Sequence, residues 1–245
     1  MHLKLRPYKK NVPYSYALGV LPTLELLNHR TPDVLRVFLS AKGELCRGVI
    51  KIRQRCASLG IDVSVSDAAI ARLTSAENCY AVGVFKKYQC RLSQDCSRVI
   101  LVSPDDMGNI GTIARTMRGY GLKDLAIVEP AADVFNPKTI RASMGALFQL
   151  RFARFASFSE YWEQHAGQAY VFMPDGAKKL DATVFRQPCA FIFGNEGQGL
   201  PAEYARLGES VRIEQAGAID SLNLGVAVGI ALHRAYVKQK WDTAS

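Results

Sequence analysis

The chain has 245 residues, 49% of them apolar and 22% charged, which is enough for one large core or two ordinary ones and too apolar for a disordered chain. No apolar run approaches the roughly 20 residues needed to span a bilayer, and residues 1–10 are basic without the apolar centre of a signal peptide, so a cytoplasmic protein with no membrane partner is expected. The net charge of +9 is uneven: residues 1–97 hold 15 Lys+Arg against 7 Asp+Glu, and residues 98–245 hold 16 against 15. Lys and Arg gain from phosphate contacts and released counterions, so this asymmetry points to a polyanion held by the first part, the bland alternative being a basic, soluble surface.

In chain order, Lys4, Arg6, Lys9 and Lys10 interleave with Tyr8, Tyr14 and Tyr16, a pattern that suits gripping phosphate and stacking a base, or a solvated terminus. Apolar residues recur at helical spacing from Tyr14 to Asn28, with Pro22 as a kink or break. Val34–Leu39 reads as a strand. Gly43–Leu59 reads as an amphipathic helix, with Leu45, Val49, Ile52 and Cys56 inward and Arg47, Lys51, Arg53 and Arg55 around the rest, stopped by Gly60. A strand at Ile61–Val65, a helix at Asp67–Leu73 capped by Ser66, and a strand at Ala81–Tyr88 complete a small α/β domain over 1–97, with Arg91–Ser97 as linker.

The second domain, 98–245, opens with a buried strand at Arg98–Ser103, followed by a helix at Asn109–Gly119. Strands follow at Leu125–Val128, Phe152–Phe155, Tyr170–Met173, Ala190–Phe193 and Ser210–Ile213, with helices at Asn136–Phe148, Ser159–His165 and Ser221–Lys238. Alternation of this kind predicts a mostly parallel sheet with helices on both faces, and ligands of such sheets bind outside the carboxyl ends of the strands. Gly225, Ala227, Gly229 and Ala231 in the last helix suggest close helix packing or a dimer contact.

The six cysteines include no Cys-x-x-Cys pair and no histidines stand at ligand spacing, so no metal site is expected and the thiols read as buried and free. The four histidines form no triad, and His233 reads as a packed or surface residue. Neither domain has a Gly-x-Gly-x-x-Gly after its first strand, nor a P-loop, which lowers a nucleotide-dependent Rossmann enzyme.

Three loops at strand ends hold the candidate chemistry. The first carries Asn109, Gly111 and Arg115 in the spacing Asn-x-Gly-x-x-x-Arg; the second runs through Gly194, Asn195, Glu196, Gly197 and Gly199; the third is Asp220-Ser221-Leu222-Asn223. Each alone means a turn or a helix cap. In this order they closely resemble the three signature motifs of the SpoU (TrmH-like) branch of the SPOUT RNA methyltransferases, over about 98–240. Ser143-Met144-Gly145-Ala146 resembles the small-residue segment that family carries between its first two motifs. Less specifically, the first domain resembles the small ribosomal-protein-like module that precedes the catalytic domain in many relatives.

The resemblance implies a C-terminal trefoil knot, S-adenosylmethionine as cofactor, and methyl transfer to a ribose 2′-hydroxyl of rRNA or tRNA, with rRNA favoured, by a homodimer. It implies that Asn109, Arg115, Glu196, Ser221 and Asn223 form the catalytic or substrate-orienting set. Gly194, Asn195, Gly197, Gly199, Ile213 and Leu222 would hold the cofactor, largely through backbone. A guanidinium is too basic to deprotonate easily, so Arg115 reads as a clamp on phosphate and hydroxyl, with the final proton acceptor left open. Glu196 could instead pin its loop through backbone N–H groups. Leu224-Gly225 stands where relatives commonly have Val-Ser, a departure that bears on helix packing. The alternative function is a noncatalytic RNA-binding or ribosome-assembly protein that keeps the fold.

Overall fold

A computed structural model describes residues 6–217 and 220–239; Lys4 of the basic entry lies outside them. The chain forms two compact units, Met1–Tyr88 with Asp133–Gln149, and Gln89–Ala132 with Leu150–Ser245. Residues 133–149 lie beyond the 97/98 boundary expected from the sequence, yet they are packed into the first unit. No described helix is long and apolar enough to cross a membrane.

The first unit is built on a four-stranded sheet. Its strands are β1 (Tyr14–Leu18), β2 (Val34–Leu39), β3 (Val63–Val65) and β4 (Ala81–Lys86), in the order β1-β4-β2-β3. The helix expected from Tyr14 is therefore wrong over its first five residues, which pair antiparallel with β4 from Tyr14↔Lys86 to Leu18↔Val82. Tyr14 and Tyr16 are aromatic residues that favour a strand, and Gly19, at φ 105, turns the chain into helix α1 (Val20–His29). Pro22 neither kinks nor breaks α1, because it stands in the first turn, where its missing N–H has no intrahelical acceptor.

Helix α2 (Arg47–Leu59) starts four residues later than expected. Ser40 accepts from Lys42 N at 3.2 Å and caps a 3-10 turn over Ala41–Gly43, whose glycine has no room for a Cβ against Tyr80. The turn throws Leu45 outward, 92% exposed, whereas Val49, Ile52 and Cys56 are buried as expected. Arg47, Lys51, Arg53 and Arg55 are all exposed, and α2 contains no carboxylate. Short helix α3 (Asp67–Ala71) is capped by Ser66, which accepts from Ala69 N at 3.2 Å.

Between Asp133 and Gln149 the single helix expected over Asn136–Phe148 is instead α5 (Pro137–Ala142) and a 3-10 turn (Ala146–Gln149), separated by Ser143 and two residues of positive φ, Met144 and Gly145. Ser15 Oγ donates to Phe135 O at 2.5 Å, Tyr8 Oη donates to Asp133, and Phe148 meets Phe85 edge-on at 5.1 Å. These contacts hold the segment in the first unit.

The second unit carries a seven-stranded sheet, wholly parallel, in the order β7-β6-β5-β10-β8-β11-β9. The strands are β5 (Arg98–Val102), β6 (Asp124–Val128), β7 (Arg151–Phe155), β8 (Ala169–Phe172), β9 (Lys178–Lys179), β10 (Ala190–Phe193) and β11 (Glu209–Arg212). Only β9, a two-residue edge strand too short and basic to show in a pattern, was not expected. Every residue of β5, β6, β8 and β10 is buried, so both faces are covered. On one face Tyr161 of α6 (Phe158–His165) packs with Ile100, Val171 and Ile192; Val99, Leu101, Phe191 and Phe193 point to the other.

Helix α4 (Met107–Gly119) packs on α7 (Leu224–Gln239). A Cβ added at Gly225 would lie 3.4 Å from Thr112 Cγ2, and one at Gly229 would lie 3.9 Å from Thr116 Cγ2. The small residues of α7 thus serve an intrachain contact. At the amino end of the sheet, buried Asp124 receives a bidentate pair from Arg151, at 2.8 and 2.6 Å, and Ser93 N at 3.2 Å, which ties the 91–97 stretch to this unit.

All six cysteines are free, but only Cys56, Cys79 and Cys189 are buried, a correction to the expectation for Cys46, Cys90 and Cys96. Burial pushes the Cys56 thiol up to about 11 and Cys189 to about 12, so neither is a thiolate at neutral pH.

Candidate functional site

The switch in strand order falls at β5, whose neighbours are β6 on one side and β10 on the other, and open parallel sheets take ligands outside the carboxyl ends near such a point. A cleft of about 410 Å³ opens beside it, at the carboxyl ends of β10, β8 and β11, and is lined also by the 194–200 loop and residues 220–222. That volume is ample for a nucleoside-sized ligand.

The 194–199 loop is closed on itself. Asn195 N donates to Gly199 O at 3.2 Å and Gly199 N returns a bond to Asn195 O at 3.0 Å. The Asn195 side chain accepts from Gly197 N at 2.9 Å and Gln198 N at 3.0 Å and donates to Ser103 O at 2.8 Å, so one amide fixes both the loop and the end of β5. Gly194 must be glycine, since an added Cβ would sit 2.2 Å from Gly199 C.

Glu196 reaches away from its own loop to the start of α4. Its carboxylate accepts from Asp105 N at 3.1 Å, Asp106 N at 3.3 Å and Asn109 Nδ2 at 3.0 Å. Donors at a helix N-terminus are a natural place for a carboxylate. Asn109 passes the connection on: its Oδ1 accepts from Asn223 Nδ2 at 3.0 Å, and Asn223 Oδ1 caps α7 by accepting from Val226 N at 3.3 Å. One residue from each of the three loops therefore forms a continuous chain, Glu196–Asn109–Asn223. Glu196 pins a backbone, as the second sequence reading held, but that of the first loop instead of its own.

Of the residues singled out in the sequence, Gly194, Asn195, Glu196, Gly197, Gly199, Ile213, Ser221 and Leu222 all line the cleft. Asn109 and Asn223 do not line it but join its rim through Glu196. Ser221 is not helical, because α7 begins only at Leu224 with Asn223 as its cap. Arg115 stands apart: its side chain is exposed on α4, does not line the cleft, and has no hydrogen bond or ion pair among the described residues. Its neighbours Thr112 and Thr116 face α7.

Sequence reasoning missed the wall opposite the loop. Phe172 and Phe193 stack at 4.5 Å with planes 9° apart, and Met173, Pro174 and Asp175 continue the lining beyond β8. The carboxyl-end rule for parallel sheets, applied to β8 as it was to β10, would have found them. Apolar rings, backbone polar groups and the carboxylates of Asp175 and Asp220 make a donor and acceptor set that fits a nucleoside bearing a positive charge.

The model of the SpoU rRNA Methylase family matches residues 97–233. An uncharacterized tRNA/rRNA methyltransferase of Synechocystis is 33% identical over 151 residues, covering 60% of this chain and 55% of the relative. The 23S rRNA (uridine(2479)-2′-O)-methyltransferase of Streptomyces viridochromogenes is 32% identical over 156 residues, covering 60% of this chain and 54% of the relative. The matched stretch thus spans about half the length of these curated relatives. Among solved structures, an AdoMet-bound rRNA methyltransferase from Sinorhizobium meliloti superposes with a TM-score of 0.78 at 28% identity, covering 93% of this chain and 88% of that one.

Proposed function

The chain belongs to the SpoU rRNA methylase family, and from that premise we propose that it transfers a methyl group from S-adenosylmethionine to a ribose 2′-hydroxyl of RNA, rRNA before tRNA. The observation that carries this reading is the Glu196–Asn109–Asn223 chain at the rim of a nucleoside-sized cleft. The relative from Sinorhizobium meliloti, described as AdoMet-bound, supports the choice of cofactor.

When bound, the cofactor supplies an activated methyl on a sulfonium. The residues of this chain supply position. Backbone of the 194–199 loop, Ile213 and Leu222 would hold the adenosine and methionine parts, with Phe172 and Phe193 as an apolar wall. Methyl transfer needs in-line approach of the hydroxyl oxygen, and orientation at near-attack distance accounts for much of the rate gain. In this reading Glu196, Asn109 and Asn223 are positioning residues that hold three loops in register, and Ser221, exposed at the cleft, faces the substrate. The exposed guanidinium of Arg115 clamps phosphate and the target hydroxyl.

The first unit holds the RNA, a role supported by the carboxylate-free α2 with its exposed Arg47, Lys51, Arg53 and Arg55. The protein works as a homodimer, with the second unit threaded as a trefoil knot. Val226, Ile230 and Val237, exposed at helical spacing on α7, give the dimer an apolar stripe.

The test is incubation with labelled S-adenosylmethionine and unmodified rRNA and tRNA, with alkali-resistant linkages mapped afterwards. Transfer to a defined ribose is expected. Cofactor binding without transfer to any RNA would favour the noncatalytic alternative, and absence of both would overturn the reading.

A further inference from the structure

Among the described residues, three helices end in the same pair of hydrogen bonds, closed around a residue that turns left-handed. At the end of α2, Ile61 N donates to Cys56 O at 3.0 Å and Gly60 N to Ala57 O at 3.4 Å, with Gly60 at φ 67. At the end of α4, Leu122 N donates to Met117 O at 2.9 Å and Gly121 N to Arg118 O at 3.2 Å, with Gly121 at φ 81. At the end of α5, Gly145 N donates to Ile140 O at 3.2 Å and Met144 N to Arg141 O at 3.0 Å. There the left-handed residue is Met144, at φ 52.

A β-carbon in that conformation is strained, and glycine relieves it without cost to the hydrogen bonds. The neighbouring glycine answers a different need: a Cβ at Gly145 would lie 2.7 Å from Glu25 Cβ and 3.0 Å from Pro22 Cα. Ser143 locks the turn from below, fully buried, donating to Ile140 O at 2.8 Å and accepting from Gly145 N at 3.2 Å and Leu147 N at 3.4 Å. The strained methionine is therefore held rigidly, yet its side chain adds little to the core and stands 39% exposed.

Arg141 and Lys138 precede residue 144 by three and six positions, are both exposed, and have no ion pair among the described residues. A strained, exposed apolar side chain close in sequence to two exposed cations with no ion pair among the described residues matches one kind of partner, a nucleic acid with a base turned out of its stack. We propose that Met144, with Lys138 and Arg141, is a contact site for an unstacked base of the substrate RNA, the thioether lying against the base and the cations against its phosphates. The proposal rests on the RNA reading above but assigns a site outside the cleft and its three loops.

The experiment compares Met144→Gly and Met144→Leu with the wild-type chain in three measurements: thermal unfolding, affinity for an in vitro transcribed 23S rRNA, and sedimentation of the protein alone. Met144→Gly should raise Tm by about 2–4 °C through relief of strain and weaken RNA binding by up to about tenfold, the range of sulfur–aromatic contacts. Met144→Leu should leave Tm close to wild type and weaken RNA binding less than Met144→Gly does, because it loses the sulfur and keeps the apolar contact. Lys138→Gln with Arg141→Gln should lower the slope of log affinity against log salt by about 1–2. A Met144→Gly protein with raised Tm and unchanged RNA affinity overturns the proposal, as does one whose self-association alone is weakened, which would assign the residue to a second copy. Failure of the wild-type chain to bind the transcript would instead bring down the RNA reading of the whole protein.

Discussion

Replacing Glu196 with Gln tests whether the three-loop chain is held by charge. The carboxylate accepts three hydrogen bonds, two from backbone N–H groups at the start of α4 and one from Asn109. A glutamine amide has one acceptor oxygen. Placed at Oε1 it keeps Asp106 N and Asn109, and its NH2 then faces Asp105 N, donor against donor. One charge-assisted bond worth about 1.5–3 kcal/mol is lost, together with about 0.3–1 kcal/mol of favourable interaction with the helix N-terminus. Glu196 is only half-buried, so water can replace part of this, and a net loss of about 1–2 kcal/mol is expected. For a chain of this size that lowers Tm by about 2–8 °C. Cofactor affinity should fall with it, because Glu196 ties the loop that walls the cleft to the start of α4. Differential scanning fluorimetry with and without S-adenosylmethionine measures both. A variant with wild-type Tm and cofactor affinity but methyl transfer reduced a hundredfold would refute the positioning role and make Glu196 a chemical participant.

Gly229→Ala should stabilise the protein by about 0.8–1 kcal/mol through helix propensity, since the new Cβ would meet Thr116 Cγ2 at 3.9 Å, an ordinary contact; a lower Tm would show that α4 and α7 are closer packed than this. His165 titrates below its usual range because burial disfavours its charged form and Arg98 repels it, with Asp124 opposing. The unfolded chain therefore binds the extra proton first, so stability should be full above about pH 6.5 and decline as pH falls below it; His165→Gln should flatten Tm between pH 5 and 7, and an unchanged slope would clear His165 of the effect. Replacing Arg47, Lys51 and Arg55 of α2 with Gln should reduce the salt slope of RNA binding by about 2–3, while Tm holds or rises slightly as like charges four residues apart are removed. An unchanged slope would move the RNA contact off α2.

The second unit was legible because its strands are buried on both faces and its helices carry strong stop and start residues. Asp106 caps α4 by accepting from Asn109 N at 2.6 Å, and Gly121 turns the chain at φ 81, so the helix was placed to within two residues. The first unit was read less well where a local pattern competed with pairing. Tyr14–Leu18 shows helical spacing of apolar residues only because the strand is buried on both faces and then runs straight into α1. Nothing local shows that β4 will lie alongside. The 133–149 segment misled for another reason: the break at Met144 needs a non-glycine residue to turn left-handed, which no propensity argument favours.

The site was legible in parts, and the split follows chemistry. Glycines and backbone positions are constrained by their own loops, so Gly194 and Asn195 could be placed from the motif alone; the Cβ clash at 2.2 Å and the ring of bonds around the Asn195 amide explain why those types are needed. The roles of Glu196, Asn109 and Asn223 depend on which donors meet which acceptors across 87 and 114 residues of sequence, and spacing carries no such information. Arg115 marks the other limit. Asn109 and Arg115 stand six residues apart on α4, about 120° around its axis, so a helix that turns Asn109 toward Glu196 must turn Arg115 elsewhere. One rigid helix thus ties Asn109 to the rim of the cleft through Glu196 and turns Arg115, which has no hydrogen bond or ion pair among the described residues, away from that rim. A substrate that uses both cleft and guanidinium must reach across α4, or meet the Arg115 of a second copy.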